Sequence, residues 1–224
     1  METSLGMDNI YLAIAVAAII VLITFLITKK LRKPLNIVLL MGLSDAGKTA
    51  IFSRLVFNKP KKTVASLKEN EASISDLNIK LIDLPGAERL RIRLWDQYRS
   101  GVQHILYVVD SSEFQANLRN TSEYLYKILA DEIIHRRKVN FTILCHKQDV
   151  EGAARKDEIS SKLEKELNAI KDTYEGQLNK TSEEEDVDYL VSKFGKQPIS
   201  FESIPVRFIE TSVNNLEELI KIIF

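Results

Sequence analysis

The eight residues GLSDAGKT at 42–49 constrain the fold more than any other feature of the sequence. They fit the pattern G-x-x-x-x-G-K-[ST] and join an apolar run, LNIVLLMG at 35–42, to a helical pattern at 46–58. A loop between a strand and a helix binds phosphates through its amides and the helix dipole. We expect Lys48 to reach the β- and γ-phosphates and the Thr49 hydroxyl to bind Mg²⁺. The full set of predicted phosphate contacts in this loop is Gly42, Leu43, Ser44, Asp45, Ala46, Gly47, Lys48 and Thr49.

The remaining sequence alternates short apolar runs with helical patterns. The predicted strands after the loop are 72–77, 79–83, 104–110, 141–145 and 206–210, and the predicted helices are 90–99, 115–136, 156–170 and 215–223. Such alternation predicts a doubly wound α/β fold with a mostly parallel sheet. Residues 175–203 break the pattern with an acidic cluster and weak periodicity, so we expect a mobile surface insertion there.

Three further motifs follow predicted strands in order along the chain. In DLPG at 83–86, Asp83 is placed to hold Mg²⁺ through water, and the Gly86 amide is placed to meet a γ-phosphate. A chain with D-x-x-G alone would be unremarkable, because that pattern is common. Together with the phosphate loop, these motifs indicate ligand binding above the carboxyl ends of parallel strands.

The other two motifs, HKQD at 146–149 and TSVN at 211–214, indicate a guanine pocket. Asp149 could accept both guanine N1–H and N2–H, a donor pair that adenine lacks. Lys147 would lay its aliphatic stem over the base with its charge outward. In TSVN, the Val213 amide beside Ser212 could meet guanine O6. The predicted cofactors are therefore GTP and Mg²⁺.

The N-terminal segment predicts membrane attachment. Residues 10–28 carry no charged side chain, and as a helix they would be about 29 Å long, close to the thickness of a bilayer core. Residues 1–9 contain no Lys or Arg, whereas the linker at 29–34 begins KKLRK, so residues 1–9 are expected in the lumen and the rest in the cytosol. A cleaved signal peptide is the alternative, but the basic leader and small residues it needs are absent.

Composition excludes several classes of function. The formal net charge is zero, which gives no basis for direct nucleic-acid binding. The single cysteine, Cys145, rules out an internal disulfide framework and lies in an apolar run, where a buried thiol is expected.

The motifs together resemble those of the small GTPases, and LWDQY at 94–98 with VVDSSEF at 108–114 is similar to the Arf and Sar branch. The anchor, GLSDAGKT, DLPG and HILYVVDSS more narrowly resemble the beta subunit family of the signal recognition particle receptor. The resemblance covers residues 35–224 and implies a single-pass endoplasmic reticulum protein with a cytosolic G domain. It implies that the GTP-bound domain holds the N-terminal domain of the receptor alpha subunit for cotranslational targeting, with the translocon as a further partner.

Three positions bear on how far this resemblance extends. Ala87 stands where typical small GTPases carry the glutamine that orients the attacking water, which predicts slow or partner-dependent hydrolysis. His146 replaces the usual asparagine, so guanine preference rests mainly on Asp149. Thr63 is the only threonine between the first helix and the strand at 79–83, and it is the predicted switch I ligand for Mg²⁺. A solvated basic loop is the alternative for its surroundings.

The leading hypothesis is a membrane-tethered binding switch, in which GTP orders residues 59–70 and 86–100 into a partner surface. Leu94, Trp95 and Tyr98 would contribute exposed contacts, with core packing as the alternative for Trp95. An Arf- or Sar-type GTPase that cycles on and off membranes is a second hypothesis, but the anchor and Ala87 argue against it. A P-loop kinase is a third, and it would leave HKQD unexplained.

Overall fold

The computed structural model describes residues 14, 16–24, 36–58, 68–74, 78–178 and 189–223. Contacts divide the chain into two units, Met1–Leu35 and Asn36–Phe224. Among the described residues, 16–24 are helical and all are exposed, and Thr24 Oγ1 donates to the carbonyls of Ile20 and Val21 at 2.9 Å each. The predicted span at 10–28 lies largely outside the described residues, and within them no helix combines the length and apolarity that crossing a bilayer requires.

The second unit is built on a six-stranded sheet in the order β2-β3-β1-β4-β5-β6. Only β2 runs antiparallel, against β3, and the other neighbours are parallel. This confirms the predicted α/β fold with a mostly parallel sheet. The strands are β1 (Asn36–Gly42), β2 (Asn70–Ile74), β3 (Ile79–Asp83), β4 (Val102–Asp110), β5 (Asn140–His146) and β6 (Val206–Glu210).

Helices connect the strands. They are α1 (Lys48–Phe57), α2 (Glu88–Tyr98), α3 (Phe114–Leu129), α4 (Glu132–Arg136), α5 (Lys156–Leu178), α6 (Tyr189–Phe194) and α7 (Glu217–Ile223). The single helix expected over 115–136 is two helices. Asp131 separates them, because its carboxylate accepts from the Ile133 amide at 2.9 Å and caps the start of α4.

The strands alternate their apolar side chains between two cores because neighbouring residues of a strand face opposite sides of a sheet. In β4, Ile105, Tyr107 and Val109 pack in one core, and Leu106 and Val108 pack in the other. Burial on both faces explains why the central strands β1, β4 and β5 are largely apolar runs in the sequence. Cys145 is fully buried in the first core, and burial raises the pKa of its thiol to about 12.

Residues 175–203 were expected to form a mobile surface insertion, but part of this segment packs against the core. Helix α5 continues to Leu178, and Leu190, Phe194 and Ile199 belong to the first core. Lys171 fastens this segment: its Nζ donates to the Gly195 carbonyl at 2.8 Å and the Gln197 carbonyl at 2.5 Å. The predicted insertion otherwise falls on residues 179–188, which lie outside the described residues.

Candidate nucleotide-binding site

The loop between β1 and α1 has, at two positions, a backbone conformation that strongly favours glycine. Gly42 and Gly47 have φ angles of 136° and 97°. A Cβ atom on Gly42 would lie 2.3 Å from the Val108 carbonyl oxygen, so β4 packs directly against the start of the loop. The loop therefore curls over the end of β1 and meets the first turn of α1, as an anion-binding loop requires.

Lys48, the first residue of α1, is buried beneath this loop. Its side chain folds back so that Nζ donates to the Leu43 carbonyl at 2.6 Å, and only 6% of the residue is exposed. Burial lowers the pKa of Lys48 to about 8, although the Asp83 carboxylate opposes that shift. A buried cation beside loop amides is the charge arrangement that a polyphosphate would neutralise.

Asp83, at the end of β3, faces Thr49 across the floor of the loop. Its Oδ2 accepts from Thr49 Oγ1 at 2.7 Å and from Asn70 Nδ2 at 2.9 Å. Its Oδ1 is buried and has no hydrogen-bond partner among the described residues. Burial raises the pKa of Asp83, against those hydrogen bonds. A hydroxyl and a carboxylate with one unused oxygen fit the oxygen ligands that Mg²⁺ prefers. Asn70 was not among the predicted site residues.

Gly86 and Ala87 lie beside the loop, at the start of α2. A Cβ atom on Gly86 would be 2.3 Å from the Ser44 amide nitrogen, so the two backbones are in direct contact. Ala87 has an extended backbone and precedes the first residue of α2. Its methyl group can neither donate nor accept a hydrogen bond, so it cannot orient a water molecule.

His146, at the end of β5, joins three loops. Its Nδ1 lies 3.0 Å from Thr211 Oγ1, and its ring would lie 2.4 Å from a Cβ atom on Gly47. Only 1% of the residue is exposed, and burial lowers the pKa of the imidazole to about 4. The ring packs between the phosphate loop and the β6 loop, and burial keeps it neutral. Thr211 was not among the predicted site residues, although it begins the TSVN motif.

Lys147 is held across the sheet by Asp110. Its Nζ donates to Asp110 Oδ2 at 2.6 Å. Burial alone would raise the pKa of Asp110, but the hydrogen bonds from Lys147 and Ser112 outweigh it and hold the pKa below its ordinary value. Asp110 was not among the predicted site residues. Its position at the end of an apolar strand could have indicated that it belongs to the site.

The remaining predicted base contacts lie in two loops at the same edge of the sheet. Asp149 is exposed, three residues beyond the end of β5. The Gln148 amide donates to the Thr211 carbonyl at 3.1 Å, which ties the loop after β5 to the loop after β6. In the second loop, Ser212 is buried and forms a turn with Asn215, while Val213 is half-buried. The two loops thus bring Asp149 and the Val213 amide to one end of the sheet.

The structure tests the predicted partner surface on α2 but not the predicted switch I threonine. Leu94, Trp95 and Tyr98 are 3%, 5% and 9% exposed and belong to the core, so their prediction as an exposed partner surface is wrong. Trp95 Nε1 donates to Asp131 Oδ2 at 2.9 Å, which fixes α2 against α4. The exposed face of α2 instead carries Arg89, Ile92 and Arg93. Thr63 lies outside the described residues.

The parallel sheet, the glycine-built phosphate loop and the Thr49–Asp83 pair define a P-loop nucleotide-binding domain. A family model described as signal recognition particle receptor beta subunit matches residues 33–207. The chain is 33% identical to the mouse signal recognition particle receptor subunit beta over 92% of its own length and 80% of the mouse protein. The chain therefore belongs to the signal recognition particle receptor beta subunit family.

Solved structures agree with this assignment. The structure of the mammalian signal recognition particle receptor superposes with a TM-score of 0.70 at 30% identity, covering 83% of this chain and 97% of that one. A receptor SRb structure from Chaetomium thermophilum, described as holding GDP and Mg, has a TM-score of 0.64 at 20% identity, covering 85% and 97% of the two chains. At that identity the second likeness shows the shared fold alone.

Proposed function

We propose that this chain is the membrane-anchored, GTP-binding subunit of the signal recognition particle receptor. In its GTP-bound state it holds the N-terminal domain of the receptor alpha subunit at the endoplasmic reticulum membrane for cotranslational targeting. The observation that carries the nucleotide site is the burial of the Lys48 side chain and the Asp83 carboxylate beside a loop in which a side chain at Gly42 or Gly47 would be strained. Family membership supports the receptor context.

Magnesium is proposed to bind at Thr49 and Asp83, with Thr63 as a third ligand. Asp83 Oδ1, which has no hydrogen-bond partner among the residues that the structure describes, supports this assignment, because a buried carboxylate oxygen without a donor is costly unless a cation meets it. Bound there, Mg²⁺ would neutralise charge on the β- and γ-phosphate oxygens. Lys48 supplies the second positive charge, and Gly86 offers its amide to the γ-phosphate.

Guanine selection is proposed to rest on Asp149, because its exposed carboxylate can accept from both N1–H and N2–H. Lys147 covers the base with its stem, held in place by Asp110. His146 supports the pocket by packing its ring against Gly47 of the phosphate loop. The amides of Ser212 and Val213 complete the pocket at guanine O6.

Hydrolysis is proposed to be slow or to depend on a partner. Ala87 has no polar atom in its side chain, so the domain lacks the usual group for positioning the attacking water. The domain then remains bound to GTP for long periods, which suits a subunit that holds a partner. A partner could also supply the missing group in trans.

Membrane attachment is proposed through residues 10–28, with 1–9 in the lumen, 29–34 as a basic linker and the G domain from 35 onward in the cytosol. The described helical residues support this, because side chains such as Val16 and Val21 are 48% and 67% exposed. A helix that is apolar on every exposed side is unfavourable in water and suits a lipid environment.

Nucleotide-dependent capture of the alpha subunit tests this proposal. The full chain in detergent or vesicles would be loaded with GTP or GDP, each with Mg²⁺, and mixed with the N-terminal domain of the receptor alpha subunit. We expect capture only of the GTP-loaded chain, and none by Lys48→Ala. Equal capture with GTP, GDP and no nucleotide would show that the nucleotide does not control the interaction.

A further inference from the structure

One edge of the G domain is formed by the N-terminal ends of the parallel strands, and we call it the strand-start edge. The register places Val38 of β1 opposite His104 of β4, and His104 opposite Asn140 of β5. Neighbouring strands lie about 4.8 Å apart, so the starts of β1 and β5 are about 10 Å apart. Asn36, where the chain enters the domain, therefore lies close to the turn that precedes β5.

That turn is basic and exposed. It contains Arg136, Arg137 and Lys138, all solvent-exposed, and Lys138 adopts a left-handed backbone with φ of 53°. Arg136 pairs with Glu132 at 2.7 Å. Within the described part of the chain, no carboxylate forms an ion pair with Arg137 or Lys138, so this turn presents two uncompensated positive charges.

The same edge carries a second feature beside the turn. A cleft of about 530 Å³ lies at the starts of β5 and β6, lined by aromatic and aliphatic side chains that include Phe141, Phe201 and Ile204. Arg207 of β6 and Glu202 also line it, and Arg207 is exposed. A cationic, partly apolar edge of this kind matches the interfacial region of a membrane, where anionic headgroups meet acyl chains.

We propose that the strand-start edge binds the anionic lipid headgroups of the membrane through Arg137, Lys138 and Arg207. This inference rests on the proposed anchor at 10–28, because residues 29–35 then connect Asn36 to the bilayer. Seven residues reach at most about 25 Å, so the edge remains within range of the surface charge. Each basic residue near an anionic surface strengthens binding by roughly five-fold, and the tether raises the local lipid concentration.

The consequence concerns orientation. The nucleotide site lies at the opposite ends of the same strands, six residues further along β5, or about 20 Å away. With the strand-start edge on the headgroups, the phosphate loop and the exposed face of α2 point away from the bilayer. The surface that responds to GTP is then open to a cytosolic partner.

A pair of fluorescent probes tests this orientation in the full chain. Cys145 is buried, so an introduced cysteine can be labelled selectively. Asn140→Cys marks the strand-start edge, and Glu151→Cys marks the nucleotide end; both positions are exposed. The labelled chains would be reconstituted into vesicles with or without phosphatidylserine, together with a quencher attached to lipid headgroups. We expect at least three-fold more quenching at position 140 than at 151, and only in phosphatidylserine vesicles.

Charge reversal and salt sharpen the test. Arg137→Glu with Lys138→Glu should remove the extra quenching at position 140, as should high salt, because surface electrostatics are screened within a Debye length. The matched control reverses Lys165 and Lys196, which are exposed outside this turn, and should leave the quenching unchanged.

Equal quenching at the two positions would overturn the proposal, as would quenching at 140 that ignores phosphatidylserine and charge reversal. If a short RNA displaced the edge from the vesicles whatever their lipid composition, the proposal would also be overturned. The turn before β5 would then be a nucleic-acid-binding site. Flotation of the same vesicles tests the membrane anchor independently of the headgroup contact. A chain that fails to float refutes the anchor, and a chain that floats without the quenching pattern refutes only the headgroup contact.

Discussion

The phosphate half of the candidate site, residues 42–49 with Asp83 and Gly86, and the base half, residues 146–149 with 211–214, are held in different ways. In the base half, two side chains that lie at the ends of strands have partners within the protein: Lys147 has Asp110, and His146 has Thr211. In the phosphate half, and within the part of the chain that the structure describes, the buried Lys48 has a carbonyl as its only hydrogen-bond partner and Asp83 Oδ1 has none.

This difference indicates that the base half is preorganised, whereas the phosphate half is completed by its ligand. Burying charges without full compensation costs free energy, and a magnesium–polyphosphate complex would supply both missing charges. Nucleotide should therefore stabilise the domain mainly through its phosphates. The base half should instead decide which nucleotide binds.

Removing the buried cation should have the largest effect. Lys48→Ala is expected to weaken binding of GTP and GDP roughly 1,000-fold, because it removes charge-assisted hydrogen bonds to phosphates in a buried site. Fluorescent nucleotide titration would measure this. The control is Lys156→Ala, an exposed lysine beyond the base half. Unchanged affinity in Lys48→Ala would remove the phosphate-site assignment.

Replacing Asp149, the proposed guanine-binding carboxylate, should change which nucleotide base is selected and leave phosphate binding intact. Asp149→Asn is expected to weaken GTP binding about 100-fold and to strengthen XTP binding, because asparagine donates where the carboxylate accepts. Competition between GTP and XTP would show the exchange, with Glu151→Gln as the matched control. If both nucleotides bound as in the unmodified chain, Asp149 would not contact the base.

Acid should destabilise the domain through its two buried histidines. Burial lowers the pKa of His104, like that of His146, to about 4, while an unfolded histidine titrates near 6.5. The unfolded state therefore binds more protons between these values, and stability is lost as pH falls from about 6.5 to about 4.

The expected loss is on the order of 2 kcal/mol for each histidine. Denaturant unfolding at pH 7 and pH 5 would measure it. His104→Gln, which can keep the contact to Thr142, should flatten the pH dependence relative to the unmodified chain. The same slope in both proteins would mean that His104 is not held neutral.

Restoring a water-positioning group should have the smallest effect. Ala87→Gln is expected to accelerate single-turnover GTP hydrolysis about ten-fold without changing GTP affinity, because the amide can orient the attacking water. Arg89→Gln, an exposed position on the same helix, is the control. An unchanged rate in Ala87→Gln would show that another group governs the water.

The sheet and the phosphate loop could be predicted because their signals are local. Strand β3 was expected at 79–83 and begins and ends there, since a strand buried in the sheet is a short, mostly apolar run. Side-chain pairs between distant strands could not be predicted in this way. The Lys147–Asp110 contact requires β4 and β5 to be neighbours, and the packing of Leu190 and Phe194 has no periodicity that marks it as core.

The nucleotide retained by the purified protein tests the central claim most directly. The full chain would be isolated from cells in Mg²⁺ buffer and denatured, and the released nucleotide would be identified by anion-exchange chromatography. We expect close to one GTP per chain, because the site binds a guanine nucleotide tightly and lacks its own water-positioning group. An empty site, or an adenine nucleotide, would contradict a guanine-binding domain built around Lys48 and Asp149.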